Sequence, residues 1–362
     1  MSEIRDILLD TTEKILKDHC TKEVISSLEQ GLWPDELWNI LEQTGITNIS
    51  IAEELQGSGG TFGDALSVLQ VVGRYAAPIP LAETLLAKWI LSSCNIPFHE
   101  GPLAIVMHSS LNGIRFKKTT SGWTLSGIAR KVGWARFAKS FVVLGYVDES
   151  LVTAKVSSDL VTINMGENLA GEPQDELIFN NVEVEKKDVA ILPDFLDKSL
   201  LFTRGALTRV ALMSGALERI LDLTVQYANE RQQFGRTIGR FQAVQQQLAV
   251  LAGEVTAAGI AAKIAISESE EEASWSSTAL AKIRLGQAVG ITTPIAHQVH
   301  GAIGFTDEHI LQQSTRRLWV WREEFGNETV WADWLGEKVL LNGHESLWSL
   351  VTNTNLIMKR KD

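Results

Sequence analysis

YANERQQFGRTIGRFQAVQQQLAVLAGEV, residues Tyr227 to Val255, is the stretch on which the reading of this chain turns. A helical period runs to about Phe234, a turn containing Gly235 follows, and a second helical period starts near Phe241. Arg231 and Gln233 therefore stand at a helix–loop junction open to a ligand. A guanidinium is a fixed cation with a planar donor fork matched to phosphate oxygens, and the Gln242 amide can reach the same group. Phe234 would cover apolar ring surface. The other reading of these residues is a plain helical hairpin whose arginine makes a surface ion pair.

Outward from this hairpin the pattern changes twice. From Ile4 to about Ser93 apolar residues recur at three- and four-residue intervals, interrupted by Pro34 and the loop Gly57-Ser58-Gly59-Gly60. Between Pro102 and Ala190 the chain shortens into runs rich in Val, Ile, Thr and Phe: GWTLSGIARKV, SFVVLGYV, LVTAKV and DELIFNNVEV. From Phe195 onward long helical periods return, with Gly235, Gly239, the acidic run Glu268 to Glu272 and Gly301 to Gly304 as candidate breaks. The expectation is an α+β chain of three parts: an N-terminal helical domain over 1–98, a middle β-barrel domain over 99–192, and a C-terminal four-helix bundle over 193–362. The acidic run reads as a solvated turn or helix face. Trp319, Trp321, Trp331, Trp334 and Trp348 crowd the C-terminal part, where they can fill a core, a subunit interface or a cofactor's surroundings.

At 362 residues, with 45% apolar and 21% charged residues, the chain has enough material for more than one folded core. A formal net charge of −11 without a lysine or arginine run gives nucleic acid no general footprint, so an anionic ligand needs a local basic pocket. Cys20 and Cys94 form no CxxC motif, and neither a disulfide framework nor a metal site is expected. The N-terminus has no signal-peptide core, and the apolar stretch Leu201 to Leu217 is broken by Arg204, Arg209 and glycines. A protein of the reducing cytoplasm, with no membrane partner, is the expectation.

A second motif is QVHGAIGFTDEHILQQSTRRLW, from Gln298 to Trp319. Taken with Arg231, Gln233, Phe234, Gly235, Ile238, Phe241 and Gln242, it resembles the acyl-CoA dehydrogenase family of flavoproteins. There, Arg-x-Gln-Phe-Gly is followed by Ile and Phe-Gln, and later by Gln-x-x-Gly-Gly-x-Gly-Phe. The resemblance implies FAD as the cofactor, with Gln298, Gly301 and Ala302 on the adenosine-diphosphate half of FAD held mainly by a neighbouring subunit. Ala302 stands where the family has a second glycine. His300, just before the loop, reads either as a ligand contact or as a structural residue. Gly73-Arg-Tyr-Ala-Ala-Pro78, Pro80 and Ala82-Glu83-Thr84 resemble a stretch of short bacterial members, and GIARKV and FNNVEV extend the likeness through the β-domain.

The family oxidises an acyl-CoA thioester to the 2-enoyl-CoA. A carboxylate takes the α-proton while a β-hydride passes to flavin N5, and hydrogen bonds polarise the thioester carbonyl. Alignment puts Phe325 at the usual position of that carboxylate, leaving Glu324, one residue earlier, as the substitute candidate. The alternative position used by a minority of members falls at Gly205, beside Arg204 and Thr203, and again holds no acid. GPLAIVMHSSLNG replaces the family's Thr-Glu-Pro loop, and His108, Ser109 and Ser110 do not reproduce its pattern. This combination resembles short members that work as hetero-oligomers, often on CoA thioesters of steroid side chains. The implied partners are the acyl-CoA substrate, a homologous acyl-CoA dehydrogenase subunit and an electron-transfer acceptor. A self-sufficient homotetramer with a shifted base, or a non-enzymatic scaffold homologue, are the alternatives.

Overall fold

The computed structural model describes residues 3–55, 57–107, 113–120, 122–148, 150–269 and 275–342. The chain forms two compact units, Met1–Ala65 with Pro78–Leu201, and Leu66–Ala77 with Phe202–Asp362. His108, Ser109, Ser110, Trp348 and Glu270 to Glu272 of the acidic run lie outside the described residues.

The first unit begins with the helices α1 (Glu3–His19), α2 (Lys22–Leu28) and α3 (Asp35–Gln43), and contains the start of α4 (Phe62–Arg74) and all of α5 (Leu81–Ser93). Local chemistry sets their ends. The Thr21 side chain accepts the Val24 amide at the start of α2, and Gly45, with φ +75°, lets the chain leave α3 through the left-handed region. Leu16, Leu37, Leu41 and Ile46 are fully buried between these elements. Lys88 is buried with them; its ammonium donates to Asn48 Oδ1 at 2.7 Å and Thr47 Oγ1 at 3.2 Å, and burial pulls its pKa down to about 8.

The same unit holds eight strands: β1 (Leu103–Met107), β2 (Ile114–Lys118), β3 (Gly122–Gly133), β4 (Ser140–Val147), β5 (Ser150–Ser157), β6 (Thr162–Asn164), β7 (Gln174–Glu185) and β8 (Val189–Ile191). They form two four-stranded sheets of order β1-β4-β5-β8 and β2-β3-β7-β6, antiparallel except for β1 beside β4. Leu125, Phe141, Val143, Ala154, Leu177 and Phe179 come from both sheets and share one core, which closes them into the barrel-like layer. In β4 the run Phe141–Leu144 is buried on both faces, which is why its sequence reads as continuous apolar rather than alternating.

The second unit is built from α6 (Lys198–Glu230) from Phe202 onward, α7 (Gln242–Glu268), α8 (Trp275–His300) and α9 (Leu311–Glu323), with α10 (Glu328–Asn342) added to the bundle against α8. The chain leaves α6 at Glu230, four residues before the end expected at Phe234. The last part of α4 belongs to this unit and lies on α6. Gln70 Nε2 donates to Ser214 Oγ at 3.0 Å, and Arg74 pairs with Asp222 at 3.0 Å. Gly73 and Gly215 make that approach possible: a Cβ at Gly73 would overlap the Leu212 carbonyl, and one at Gly215 the Gln70 carbonyl. Among the described residues α7 is the one helix long and apolar enough to cross a membrane by composition, and a third of that window is buried within the chain. It is α7, then, and not Leu201 to Leu217, that carries the strongest apolar signal; α6 spends its apolar residues on the core, with Leu201, Leu207, Val210 and Leu217 all buried.

Gly215→Ala tests the helix contact. Alanine is the better helix former by about 1 kcal/mol, yet its methyl must push back main-chain atoms of α4, so the variant is expected to lose about 1–3 kcal/mol net in urea unfolding. An unchanged or raised midpoint would mean that the two helices have room to part.

Candidate functional site

α6 makes its last turn bond from the Arg231 amide to the Tyr227 carbonyl, at 2.9 Å, and the chain then doubles back. Gln232–Gln233 pairs antiparallel with Arg236–Thr237, and the two residues between them, Phe234 and Gly235, both have positive φ, +53° and +79°. That is the requirement of a type I′ hairpin turn, whose second residue is usually glycine. The Arg-x-Gln-Phe-Gly sequence is therefore a β-hairpin between two helices, closed by the Ile238 amide on the Arg231 carbonyl at 2.8 Å. Phe234 projects from its tip, 91% exposed, with its ring edge-on to Phe241, and the Arg236 guanidinium lies 4.2 Å from the Phe241 ring centre. Arg231, Gln233 and Gln242 are all exposed.

The start of α7 at Gln242 has no capping side chain and no acidic residue in its first turn. The first amides and the positive end of this 27-residue helix are thus not taken up by a capping side chain. A guanidinium, three exposed amide side chains at Gln233, Gln242 and Gln298, and an uncapped helix start are the donors a diphosphate ester needs. This donor set fits the nucleotide half of FAD.

The second motif lies at the far end of α8. Gly301 has φ +68° and no atom within 4 Å of where a Cβ would stand, so its backbone is open to an approaching group. Gln298 and Ala302 are also exposed, whereas His300 is turned inward. The His300 ring stacks on Tyr227 with centres 4.5 Å apart, and its Nδ1 meets the Ala296 carbonyl at 2.8 Å. Because Tyr227 precedes Arg231 by one turn and His300 adjoins Gly301, this ring contact brings the two motifs together at one end of the bundle. Burial holds the His300 pKa below the usual histidine range.

At the expected catalytic positions there is no exposed acid. α9 ends at Glu323, and the chain turns through Phe325 and Gly326, both with positive φ, +52° and +83°. The Phe325 ring lies directly on Gly205, where a Cβ would overlap it, and meets Phe202 edge-on at 6.0 Å. The two positions considered for the base are thus neighbours in space, and one phenyl ring fills both. Glu324 Oε2 accepts from Arg209 Nε at 2.5 Å, and the Arg209 guanidinium also lies over the Phe325 ring at 5.3 Å. Glu328, further on, is paired with Arg322, which holds its carboxyl below the usual range. Arg204 is largely buried, and burial pulls its pKa down to about 10.

Three residues that shape the two ends of the bundle were missed in the sequence: Tyr227 at the hairpin end, and Arg209 and Lys282 at the Phe325 end. Lys282 is the most telling. Its ammonium donates to the carbonyls of Trp321 at 3.2 Å, Arg322 at 3.1 Å and Glu324 at 2.9 Å, and burial pulls its pKa down to about 7. A lone lysine in the small-residue run SSTALAKIRLGQAVG was the available signal: a charged side chain on a face otherwise made for close packing must have buried acceptors waiting.

Residues 198–340 match the family model described as acyl-CoA dehydrogenase, C-terminal domain. The chain is 29% identical over 324 residues to the acyl-CoA dehydrogenase IpdE2 of Mycolicibacterium smegmatis, covering 88% of this chain and 93% of that protein. It is 31% identical over 267 residues to the acyl-CoA dehydrogenase FadE27 of Mycobacterium tuberculosis, covering 67% of this chain and 68% of that protein. In fold it is similar to a chain of the ChsE4-ChsE5 complex from Mycobacterium tuberculosis, with a TM-score of 0.86 at 23% identity, over 95% of this chain and 98% of that one. With both sequence motifs at one end of a helical bundle and relatives spanning most of the chain, the protein belongs to the acyl-CoA dehydrogenase family, whose cofactor is FAD.

Proposed function

We propose that this chain is one subunit of a hetero-oligomeric, FAD-dependent acyl-CoA dehydrogenase, and that a homologous subunit brings the catalytic carboxylate. The observation that carries this reading is the Phe325 ring seated on Gly205, because it leaves no acid at either place from which a carboxylate could reach the α-carbon. Glu324 does not replace it, since its side chain is drawn to Arg209. Arg231, Gln233, Phe234, Gln242, Gln298, Gly301 and Ala302 keep the nucleotide-holding half of the task. Bound FAD would supply the acceptor for the β-hydride; this chain would hold and orient its diphosphate and adenosine, through the guanidinium, amide and backbone donors that the hairpin and loop expose.

Support for a partner comes from α7, whose Val250, Ile260 and Ile264 remain exposed and whose apolar window is mostly uncovered. The names of the relatives add that a chain of this fold occurs in a two-subunit complex, and another in a steroid acyl-CoA dehydrogenase. A CoA thioester from steroid or lipid breakdown is the substrate class we infer, with an electron-transfer protein as acceptor. Cys20 and Cys94 are both free thiols, as suits the reducing cytoplasm in which we place this chemistry.

Purified alone, the chain is expected to show no acyl-CoA oxidation with an artificial electron acceptor. Produced together with the homologous subunit, it is expected to yield a yellow complex that forms 2-enoyl-CoA. Turnover by the isolated chain would overturn the proposal, and a colourless complex would favour a scaffold.

Glu324→Gln separates the two roles open to that residue. In the complex, kcat is expected to stay within about threefold, while the folded state loses about 2 kcal/mol because the buried Arg209 guanidinium exchanges a carboxylate partner for a neutral amide. A fall in kcat of roughly a thousandfold or more, at unchanged stability, would instead make Glu324 the base.

A further inference from the structure

We infer that Tyr227 and His300 are positioning residues for the cofactor: their stacked rings fix the Gly301–Ala302 loop against the Arg231 hairpin, so that both present donors to one nucleotide. The inference rests on the proposed role of these two segments in holding FAD, and adds residues that need not touch it.

The geometry is that of a clamp beneath the loop. On one side, His300 is held from three directions. A carbonyl can only accept, so Nδ1 carries the proton and donates to the Ala296 oxygen at 2.8 Å. One ring face lies on Tyr227 at 4.5 Å, and the edge of His309 meets it at 4.6 Å. His309 in turn accepts the Leu311 amide at 3.1 Å, at the first residue of α9. The contact sequence Tyr227, His300, His309 therefore ties the end of α6 to the end of α8 and the start of α9. On the other side, His297 stacks on Phe305 with centres 4.0 Å apart and shares a hydrogen bond of 3.0 Å with Thr315 Oγ1. Gly304 is wedged between the two histidines; a Cβ there would lie 3.0 Å from His300 Cβ and 3.3 Å from His297 Nδ1.

The consequence is a loop fixed at both ends from below while Gly301 and Ala302 stay open above. His300 Nε2 is buried and has no hydrogen-bond partner among the described residues, so the side chain acts through its ring and its Nδ1 bond rather than through a polar tip reaching a ligand. Ordering a loop before binding removes part of the entropy that a nucleotide would otherwise have to overcome. The hairpin side needs the same order, because Arg231 and Tyr227 are joined by the last backbone bond of α6.

The test measures FAD and FMN affinity by flavin fluorescence on the flavin-stripped complex of this chain with its partner subunit, for the unchanged chain and for Tyr227→Ala and Tyr227→Phe. Loss of the stack in Y227A is expected to weaken FAD roughly three- to tenfold, while FMN, which lacks the adenosine half, shifts by less than about twofold; Y227F keeps the ring and restores FAD binding. Equal FAD affinity in Y227A, or an equal loss for FAD and FMN, overturns the positioning role. Failure of the unchanged complex to bind either flavin would instead strike the proposed function itself. Should Y227A not assemble, Tyr227→Leu and His300→Phe give the same comparison. The first must lose FAD selectively, and the second, which keeps the ring but not the Nδ1 bond, must lose less than the first; any other pattern counts against the clamp.

Discussion

The ammonium of Lys282 gathers three main-chain carbonyls at the end of α9, and the geometry of the turn through Phe325 follows from that one contact. The last carbonyls of a helix have no partners within it, and a cation is the group that best satisfies them. Here the cation comes from inside the bundle, so the helix end is drawn onto α8 and the following residues have little freedom. Phe325 is pressed into the left-handed region, which costs a non-glycine residue energy and persists where the surroundings over-determine it. Those surroundings are specific: Trp331 Nε1 donates to the Phe325 carbonyl at 2.9 Å, Arg209 holds Glu324, and Arg322 holds Glu328. Burying a lysine drags its pKa down to about 7, and its three carbonyl acceptors offset much of that desolvation.

What this rigid turn presents is a hydrocarbon ring rather than a proton acceptor. Phe325 joins Phe202, Trp275, Trp331 and Trp334 in an aromatic cluster around Ala206, and Gly205 provides the flat floor on which the ring rests. The C-terminal tryptophans that could have served a cofactor or an interface are thus largely explained, for Trp331 and Trp334, by core packing around that plug. The opposite end of the bundle has the reverse character. There Arg231, Gln233, Gln242 and Gln298 are polar and exposed, and the Gly301 backbone is open. The chain therefore combines a closed aromatic region around Phe325 with an open polar one around Arg231 and Gly301.

The elements most readily read in the sequence were those with a strong local period or an uncommon residue pattern. GWTLSGIARKV, SFVVLGYV, LVTAKV and DELIFNNVEV correspond to β3, β4, β5 and β7, because β-branched and aromatic residues at strand spacing leave few alternatives. The Arg-x-Gln-Phe-Gly segment was harder. Phenylalanine is an unusual first residue for a hairpin turn, so a helical period was extended to Phe234, whereas the backbone doubles back from Glu230. The absence of an acid at Phe325 and Gly205 could be counted in the sequence. That the two positions share one space could not, since they lie 120 residues apart and meet only through the packing of α6 on the turn after α9.

The sequence by itself determined which residue types this protein has to work with: an arginine and glutamines flanking a glycine turn, a glycine loop after α8, and no carboxylate at either expected catalytic position. These are matters of chemical identity and short spacing, which a linear chain carries in full. Only the tertiary structure decided that Tyr227 joins the hairpin after α6 to the Gly301 loop, that Arg209 claims Glu324, and that Lys282 organises the turn after α9. Each of those contacts pairs residues tens or more than a hundred positions apart, and their energy comes from burial and hydrogen-bond satisfaction, which exist only once the helices have packed.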